Sequence, residues 1–250
     1  MPSHIRNKCG NAILAMICLA WAPSAVAQGV FVPKSAGLFK IDFRITDAII
    51  DKDLAVTVNY HNDGRFTGGV PFDLPIAGVH AKAADTIVPA LGIEYFITDH
   101  ISIEPIFGGT KQKTRTFVDS LIFVSPSPAI NASNFNVVNS VFAYSAIVPI
   151  KYHFRPDARF SPYIGAGMAY YWFANEASST GQPLSVLDTR GYVVQVGFDY
   201  ALHGNWSINL DAKQMFVENE AVVTDPFGGA TTSTTKPDPL IISAGFGYRF

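Results

Sequence analysis

The sequence has few charged residues, few cysteines and no apolar run that is typical of a membrane-spanning helix. Charged residues make up 15% of the chain, whereas soluble globular proteins carry about 25%. The longest uncharged stretch, 120–150, contains three prolines and four asparagines, which a spanning helix does not tolerate. The net charge is −2 and the basic residues are scattered, which argues against a nucleic-acid partner. These absences exclude a helical membrane bundle, a disordered tail and an ordinary charged cytosolic domain.

Residues 1–27 are predicted to be a secretory signal peptide. A basic start is followed by an apolar run and by Ala-Val-Ala at 25–27, a small-x-small cleavage pattern. The alternative is a buried N-terminal helix. Both cysteines, Cys9 and Cys18, fall inside this leader, so the predicted mature chain, 28–250, has no disulfide to stabilise it after export.

The rest of the chain has a period of two in its hydrophobic pattern. In Phe39–Thr46 apolar and polar residues alternate strictly, which places the apolar side chains on one face of a strand. The same alternation occurs over 100–107, 206–213 and 240–250. Four further strands are predicted at 86–96, 139–154, 161–173 and 190–201. No segment shows a convincing helical stripe.

Short and long connections alternate between these eight strands. The short, turn-forming links lie at 96–100, 155–159 and 202–205. The long links lie at 47–85, 111–138, 174–189 and 217–236. This layout predicts an all-β fold: an eight-stranded antiparallel transmembrane β-barrel with short periplasmic turns and long extracellular loops. Closure is required because an open edge would leave unpaired backbone groups in lipid.

A water-soluble barrel of the lipocalin type is the alternative, with its apolar faces turned inward. The aromatic residues favour the membrane barrel because they form two groups, one at each end of the strands, as interfacial belts do. Near the short turns are Tyr95, Tyr152, Phe154, Tyr200, Trp206, Tyr248 and Phe250. Near the long loops are Phe107, Phe142, Tyr144, Tyr170, Trp172 and Tyr192.

Four stretches of the chain, in this order and spacing, resemble the OmpW family of outer-membrane proteins. They are Gly92–His100, Ser161–Met168, Val196–Tyr200 with Asn205 and Trp206, and Lys236–Phe250. The resemblance implies a bacterial outer-membrane barrel whose interior is a narrow apolar passage for small hydrophobic compounds. The final Tyr-Arg-Phe also looks like the signal read by the barrel-assembly machinery, with Phe250 as its last residue.

If the apolar faces point outward, the opposite faces line the lumen. The predicted charged layer, in the periplasmic half, consists of Lys40, Asp42, Glu94, Glu104, Lys151, Asp199, Asp211 and Arg249. The predicted apolar lining, in the outer half, consists of Val88, Ile106, Val141, Ile147, Phe173, Val193, Met215 and Ile241. Charges away from water are costly unless paired, so the lower half is expected to be a salt-bridged plug below a pocket for an apolar ligand. The alternative is that the apolar residues only fill space, because barrels of this width are usually packed.

The predicted function is passive transport of small hydrophobic molecules, with lateral release into the membrane. Four prolines predicted inside strands, Pro89, Pro105, Pro149 and Pro239, each remove a ladder hydrogen bond and weaken the wall. The expected partners are the lipid bilayer, lipopolysaccharide, the barrel-assembly machinery and small hydrophobic solutes, without a cofactor or metal. The alternative function is a structural, adhesive or receptor protein with a packed lumen, which uses loops such as the polar and flexible 224–235.

An enzymatic function is considered and set aside. His100, Ser102 and Glu104 supply the residue types of a Ser/His/acid site and resemble those of lipid A deacylases. Such chemistry has to face the outer leaflet, whereas His100 falls in a predicted periplasmic turn, away from the substrate. The remaining histidines are dispersed and lack the spacing of metal ligands. The chain is therefore predicted not to be an enzyme.

Overall fold

A computed structural model of the chain describes residues 31–50, 54–65, 69–83, 86–118, 135–224 and 229–250. The predicted signal peptide, 1–27, lies outside the described residues. In the described part, no helix has the length and apolar character needed to cross a membrane. The strands are β1 Phe39–Ile49, β2 Leu54–Asn62, β3 Phe72–Ala83, β4 Thr86–Phe96, β5 Ile101–Ile103, β6 Ile106–Val118, β7 Phe135–His153, β8 Phe160–Ser178, β9 Leu184–Val186, β10 Thr189–Ala201, β11 Trp206–Val217, β12 Asn219–Thr224, β13 Gly229–Thr235 and β14 Leu240–Arg249.

Nine of these strands form an eight-stranded antiparallel barrel, in which β5 and β6 together make one barrel strand. Around the wall, β1 is followed by β14, β11, β10, β8, β7, the β5–β6 pair and β4, and β4 pairs again with β1. β5 and β6 act as one barrel strand, interrupted at Glu104 and Pro105, because both keep one register against β7. All eight predicted strands are present, and the predicted barrel is confirmed.

The apolar residues of the barrel point outward and the charged residues point inward. On β1, Lys40 and Asp42 are fully buried, whereas Phe43 and Ile45 are 70% and 66% exposed. In a water-soluble ligand barrel the two faces would be reversed. The wall therefore suits a lipid surround, and the lipocalin-type alternative is excluded.

Aromatic side chains cluster on the outer face at both ends of the barrel. At the short-turn end, the ring of Trp206 lies 4.7 Å from those of Phe246 and Tyr248. At the long-loop end, Tyr144 stacks on Trp172 at 5.8 Å. Two such belts match the two polar–apolar interfaces of a bilayer, where aromatic rings concentrate.

The long connections are more ordered than the sequence predicts. β2, β3, β9, β12 and β13 form a sheet, called the collar here, which continues the wall at the long-loop end. The segment 224–235, predicted to be flexible, contains β13, which pairs with both β12 and β2. Its threonines have high strand propensity but little apolar alternation, so the pattern gave no strand signal. β7 and β8 are 19 residues long, well beyond the 9–11 that suffice to cross a bilayer.

The segment 31–37, called the N-terminal strap here, crosses the barrel at the short-turn end. Its backbone N–H groups reach one carbonyl at each of the three short turns. These hydrogen bonds are Val32 N to Gly204 O at 3.1 Å, Lys34 N to Pro156 O at 3.0 Å and Gly37 N to Phe96 O at 2.8 Å. The strap therefore ties the three periplasmic turns together across the mouth of the barrel.

Candidate functional site

The lower lumen is filled by buried charged side chains. All eight residues of the predicted charged layer lie there, and each is at most 2% exposed. Among the described residues, the buried charged groups are six cations, Lys34, Lys40, Arg44, Lys151, Lys213 and Arg249, and five carboxylates, Asp42, Glu94, Glu104, Asp199 and Asp211. Cations and carboxylates interleave, so most of these charges have an opposite charge in contact.

The lower part of the charged layer is built around two lysines. Lys40 Nζ donates to Asp199 Oδ1 at 2.8 Å and to Glu94 Oε2 at 3.1 Å. Lys151 Nζ forms ion pairs with Glu94 and, at 3.1 Å, with Glu104 Oε2. Lys40 and Glu94 are register partners on the neighbouring strands β1 and β4, whereas the contacts of Lys40 with Asp199 and of Lys151 with Glu94 join strands that are not neighbours. The charged side chains therefore fill the lumen at this level.

Arg44 and Lys213 form the upper edge of the charged layer. The Arg44 guanidinium contacts Asp42 and Glu104, and its Nη1 donates to Asp211 Oδ2 at 3.0 Å. Lys213 Nζ contacts the other oxygen, Oδ1, of the same Asp211. One carboxylate is thus shared by two cations at the level where the lumen changes from charged to apolar.

Sequence reasoning missed three cations of this layer. Arg44 lies two residues after Asp42, and Lys213 two residues after Asp211, so the period of two was signal enough to place them in the lumen. Lys34 had no such signal, because it lies in the strap before the first strand. Its Nζ pairs with Asp199 Oδ2 at 3.2 Å. Burial lowers the pKa of Lys34 from 10.5 to about 8, partly offset by the negative charge of Asp199.

The structure does not assemble His100, Ser102 and Glu104 into a Ser/His/acid site. Ser102 Oγ lies 3.0 Å from His153 Nε2 and donates to Glu94 Oε1 at 2.7 Å, whereas His100 Nδ1 contacts the carbonyl of His153 at 2.8 Å. Ser102 and His153 are fully buried at the periplasmic end.

Glu94, His153 and Asp199 bring three potential metal-ligand atoms within 4.8 Å of one another. No sequence pattern predicts this cluster, because the three residues come from three different strands. Lys40 and Lys34 already contact its carboxylates. Ammonium groups therefore supply the positive charge that these carboxylates require, and the cluster serves as part of the charged layer.

A cavity of about 150 Å³ lies directly above the charged layer. Five residues of the predicted apolar lining border it: Val88, Ile106, Ile147, Phe173 and Ile241. Val193 and Met215 do not border the cavity but are buried in the apolar cluster that packs behind Ile106, Ile147 and Ile241. The cavity continues upward past Leu54 and Ala81 of the collar.

Val141 is the one predicted lining residue that belongs neither to the cavity wall nor to the buried cluster. The register of β7 against β8 shifts between Ser140 and Phe142, where Val141 lies opposite two residues of β8, Asn175 and Glu176. The extra residue of this bulge therefore belongs to β8, where Asn175 has a positive φ of 54°. On its other side β7 keeps one register with β6 through Val141, so Val141 lies on the same face of β7 as Ala143, which borders the cavity.

The wall beside the cavity is interrupted between β4 and β6. The two strands pair only over Ala90–Gly92 and Ile106–Gly108. Farther out, β6 pairs with β3 from Thr114 onward. Among the described residues, no strand pairs with 109–113 on this side of β6, although the other side stays paired with β7.

Pro89 is the only one of the four predicted wall-weakening prolines that flanks this interruption. Pro149 lies in β7, which keeps its ladder to β8, while Pro105 and Pro239 lie just outside strands rather than inside them. The carbonyls of Pro105 and Pro239 accept hydrogen bonds from Ile93 N at 2.9 Å and Met215 N at 3.1 Å. Their effect on the wall is therefore local and compensated.

The OmpW family model matches residues 67–250, most of the chain. The chain belongs to the OmpW family. An uncharacterized outer-membrane protein of Sinorhizobium fredii is 31% identical over 189 residues, which cover 75% of this chain and 74% of that protein. Outer membrane protein W of Vibrio cholerae is 32% identical over 109 residues, 40% of this chain and 49% of the relative.

Solved structures show the same fold for this OmpW-family chain. The outer membrane protein OprG from Pseudomonas aeruginosa superposes with a TM-score of 0.69 at 18% identity, over 88% of this chain and 99% of OprG. The structure of the outer membrane protein AlkL in lipid bilayers superposes with a TM-score of 0.51 at 19% identity, over 91% of this chain and 97% of AlkL. The family and the lipid-facing wall place the chain in the bacterial outer membrane, as predicted.

Proposed function

We propose that this OmpW-family barrel passively transports small hydrophobic molecules across the outer membrane. The observation that carries the proposal is the cavity above the charged layer. Apolar side chains from seven barrel strands border the cavity, together with polar ones such as Thr110 and Gln112. A largely apolar cavity of about 150 Å³ accommodates a molecule the size of benzene. An apolar solute leaving water gains roughly 25 cal/mol per Å² of buried surface there.

The bottom of the cavity directs the solute sideways. The charged layer and the strap fill the lumen below. An apolar solute that separated these ion pairs would leave buried charges without partners, which costs free energy. The interruption between β4 and β6 lies at the level of the cavity, and Val88, Gly109 and Thr110 on its two sides border the cavity. Lateral release into the membrane through this interruption completes the proposed route.

Filling the cavity tests the proposal. Ala143 borders the cavity on β7, whereas Ala146 lies on the lipid face of the same strand. We expect Ala143→Phe to reduce the uptake of a labelled hydrocarbon into vesicles that contain the reconstituted barrel by several-fold. Ala146→Phe adds the same ring outside the lumen, so its uptake is expected to match that of the wild type. Equal uptake by both variants contradicts the proposal, provided that both fold into heat-modifiable barrels.

The same uptake assay distinguishes transport from the alternative function, that of an adhesive or receptor protein with a non-conducting lumen. The collar offers such a protein an ordered outer surface, built from β2, β3, β12 and β13. If the barrel is of this second kind, vesicles that contain the wild-type protein take up hydrocarbon no faster than vesicles without protein. Its binding to cells or lipopolysaccharide is then lost when the collar hairpins are shortened.

Assembly by the barrel-assembly machinery remains part of the proposal. Phe250 is 67% exposed on the outer face, and its N–H donates to Phe39 O at 2.7 Å. The last residue therefore lies at the seam where the final strand meets the first. Its ring is available to a receptor before the barrel closes.

A further inference from the structure

We infer that the cavity prefers amphiphiles with a single anionic head group, of the carboxylate class, over neutral hydrocarbons of the same length. The inference rests on the proposed function and names its substrate class. The head group binds at Lys213 and Arg44 on the cavity floor. The apolar body lies above it, against Ile106, Ile147 and Ile241.

The charge on the cavity floor is of one sign. Among the described residues that border the cavity, Arg44 and Lys213 are the charged ones, and none is a carboxylate. Their carboxylate partners, Asp42, Glu104 and Asp211, lie outside the cavity lining. A ligand that reaches the floor therefore meets cations and no anion.

The ion pairing of the floor is uneven. Arg44 contacts three carboxylates, whereas Lys213 contacts a single one, Asp211, and shares it with Arg44. An added carboxylate would give Lys213 a second negatively charged partner, whereas Lys213 would repel an added ammonium group.

Polar groups that can complete a head-group site lie beside Lys213. Ser243 Oγ is 3.3 Å from Lys213 Nζ and 3.2 Å from Thr46 Oγ1, and both hydroxyl residues border the cavity.

The preference follows from what each head group loses and regains. A carboxylate gives up its hydration when it enters the lumen, but charge-assisted hydrogen bonds to Lys213 and Arg44 replace it. An alcohol of the same chain length regains neutral hydrogen bonds only, and an alkane regains none. An alkylammonium is repelled by the same two cations.

Two methionines provide a matched pair of reporters for the test. Met215 is fully buried next to the cavity, where Tyr171 Oη contacts its sulfur at 2.9 Å, whereas Met168 is 57% exposed on the lipid face. In barrels carrying ¹³C-methyl methionine in nanodiscs, a ligand in the lumen shifts the Met215 signal. A ligand that merely dissolves in the lipid shifts Met168 instead.

Octanoate, octanol and octylammonium are titrated into this sample at neutral pH. We expect octanoate to shift Met215 at the lowest concentration, octanol at a concentration about tenfold higher, and octylammonium to shift only Met168. Octanol binding at Met215 as tightly as octanoate overturns the inference while the proposed function stands. If no apolar or amphiphilic compound shifts Met215 and hydrocarbon uptake is absent, the proposed function itself fails.

Variants at the floor locate the head group. Lys213→Met is expected to weaken octanoate binding about tenfold and to leave octanol unchanged, while Lys213→Arg retains the preference. Lys236, an exposed lysine of the collar side that pairs with Glu218 at 2.9 Å, is the control. Lys236→Met is expected to leave both ligands unchanged. Equal weakening of octanoate and octanol by Lys213→Met indicates a packing effect and contradicts the head-group assignment.

Discussion

At the scale of single residues, the lumen shows how buried charges are made tolerable in a membrane protein. Each lysine or arginine of the charged layer that comes from a strand can be found by counting alternate positions, as Lys40, Asp42 and Arg44 on β1 illustrate. Lys34 reaches the same layer from the strap, outside any strand. It is held there by Asp199 and by the backbone bond to Pro156, neither of which a linear pattern reveals.

The protonation of Lys34 gives a prediction at this scale. Its pKa is lowered from 10.5 to about 8 in the docked strap because burial disfavours the ammonium form. The released strap therefore binds the proton more tightly, so docking strengthens as pH rises from about 8 to 10.5 and is weakest below that window. A ¹³C NMR titration of the lysine side chains, assigned with Lys34→Met, is expected to show one signal near pH 8.

Asp199→Asn extends that titration. Asp199 raises the pKa of Lys34, so its loss is expected to move the Lys34 midpoint further down. Lys236, whose pKa is raised by its hydrogen bond to Glu218, serves as an internal control above 10.5. A Lys34 midpoint at or above that of Lys236 contradicts the buried strap.

At the scale of elements, glycines inside strands make room for the contents of the lumen. A Cβ added at Gly247 would lie 2.8 Å from Lys40 Cε, and one at Gly245 would lie 2.8 Å from Arg44 Cγ. β14 thus has no side chain where β1 projects its two long cations. These two glycines therefore leave space for identified neighbours, Lys40 and Arg44.

Gly167 on β8 provides a prediction at this scale. A Cβ there would lie 2.5 Å from Pro149 Cα and against the carbonyl of Val148, both of them backbone atoms that cannot turn aside. We expect Gly167→Ala to destabilise the barrel by about 1–3 kcal/mol through overpacking. The urea midpoint of the folded barrel in detergent measures this. Ala166→Val adds bulk to the lipid face of the same strand and serves as the control. If it lowers the stability of the barrel as much as Gly167→Ala does, overpacking at Gly167 is not the cause.

At the scale of the whole molecule, the described part of the barrel wall loses a strand pairing beside the cavity. Fourteen strands share one sheet, yet β6 loses its neighbour over 109–113, where Pro89 and the Gly108–Gly109 pair face each other across the wall. The interruption and the cavity lie at the same height along the barrel axis. This coincidence supports the lateral part of the proposed route.

A disulfide across the interruption tests that route. A Cβ at Gly108 would lie 3.3 Å from Val88 Cγ1, close enough for a Val88→Cys and Gly108→Cys pair to oxidise. The described residues contain no cysteine, so the pair has no competitor. Oxidation is expected to lower hydrocarbon uptake several-fold and a reductant to restore it, while binding at Met215 persists.

The matched control is a second disulfide in a continuous part of the wall. Ile150 and Ala166 are register partners on the lipid face of the β7–β8 ladder. Oxidising Ile150→Cys with Ala166→Cys is expected to leave uptake unchanged. Uptake that survives closure of the β4–β6 interruption shows that solutes leave by another path.

The sequence by itself determined the barrel, its eight strands, the side of the wall that faces lipid and most of the charged layer. All of these follow from a period of two and from the lengths of the links, which are local properties of a chain that must satisfy its backbone in lipid. Only the tertiary structure decided the docking of Lys34, the collar and the interruption beside Pro89. Each of these depends on which distant strand becomes a neighbour, and a one-residue shift of register reverses the outcome.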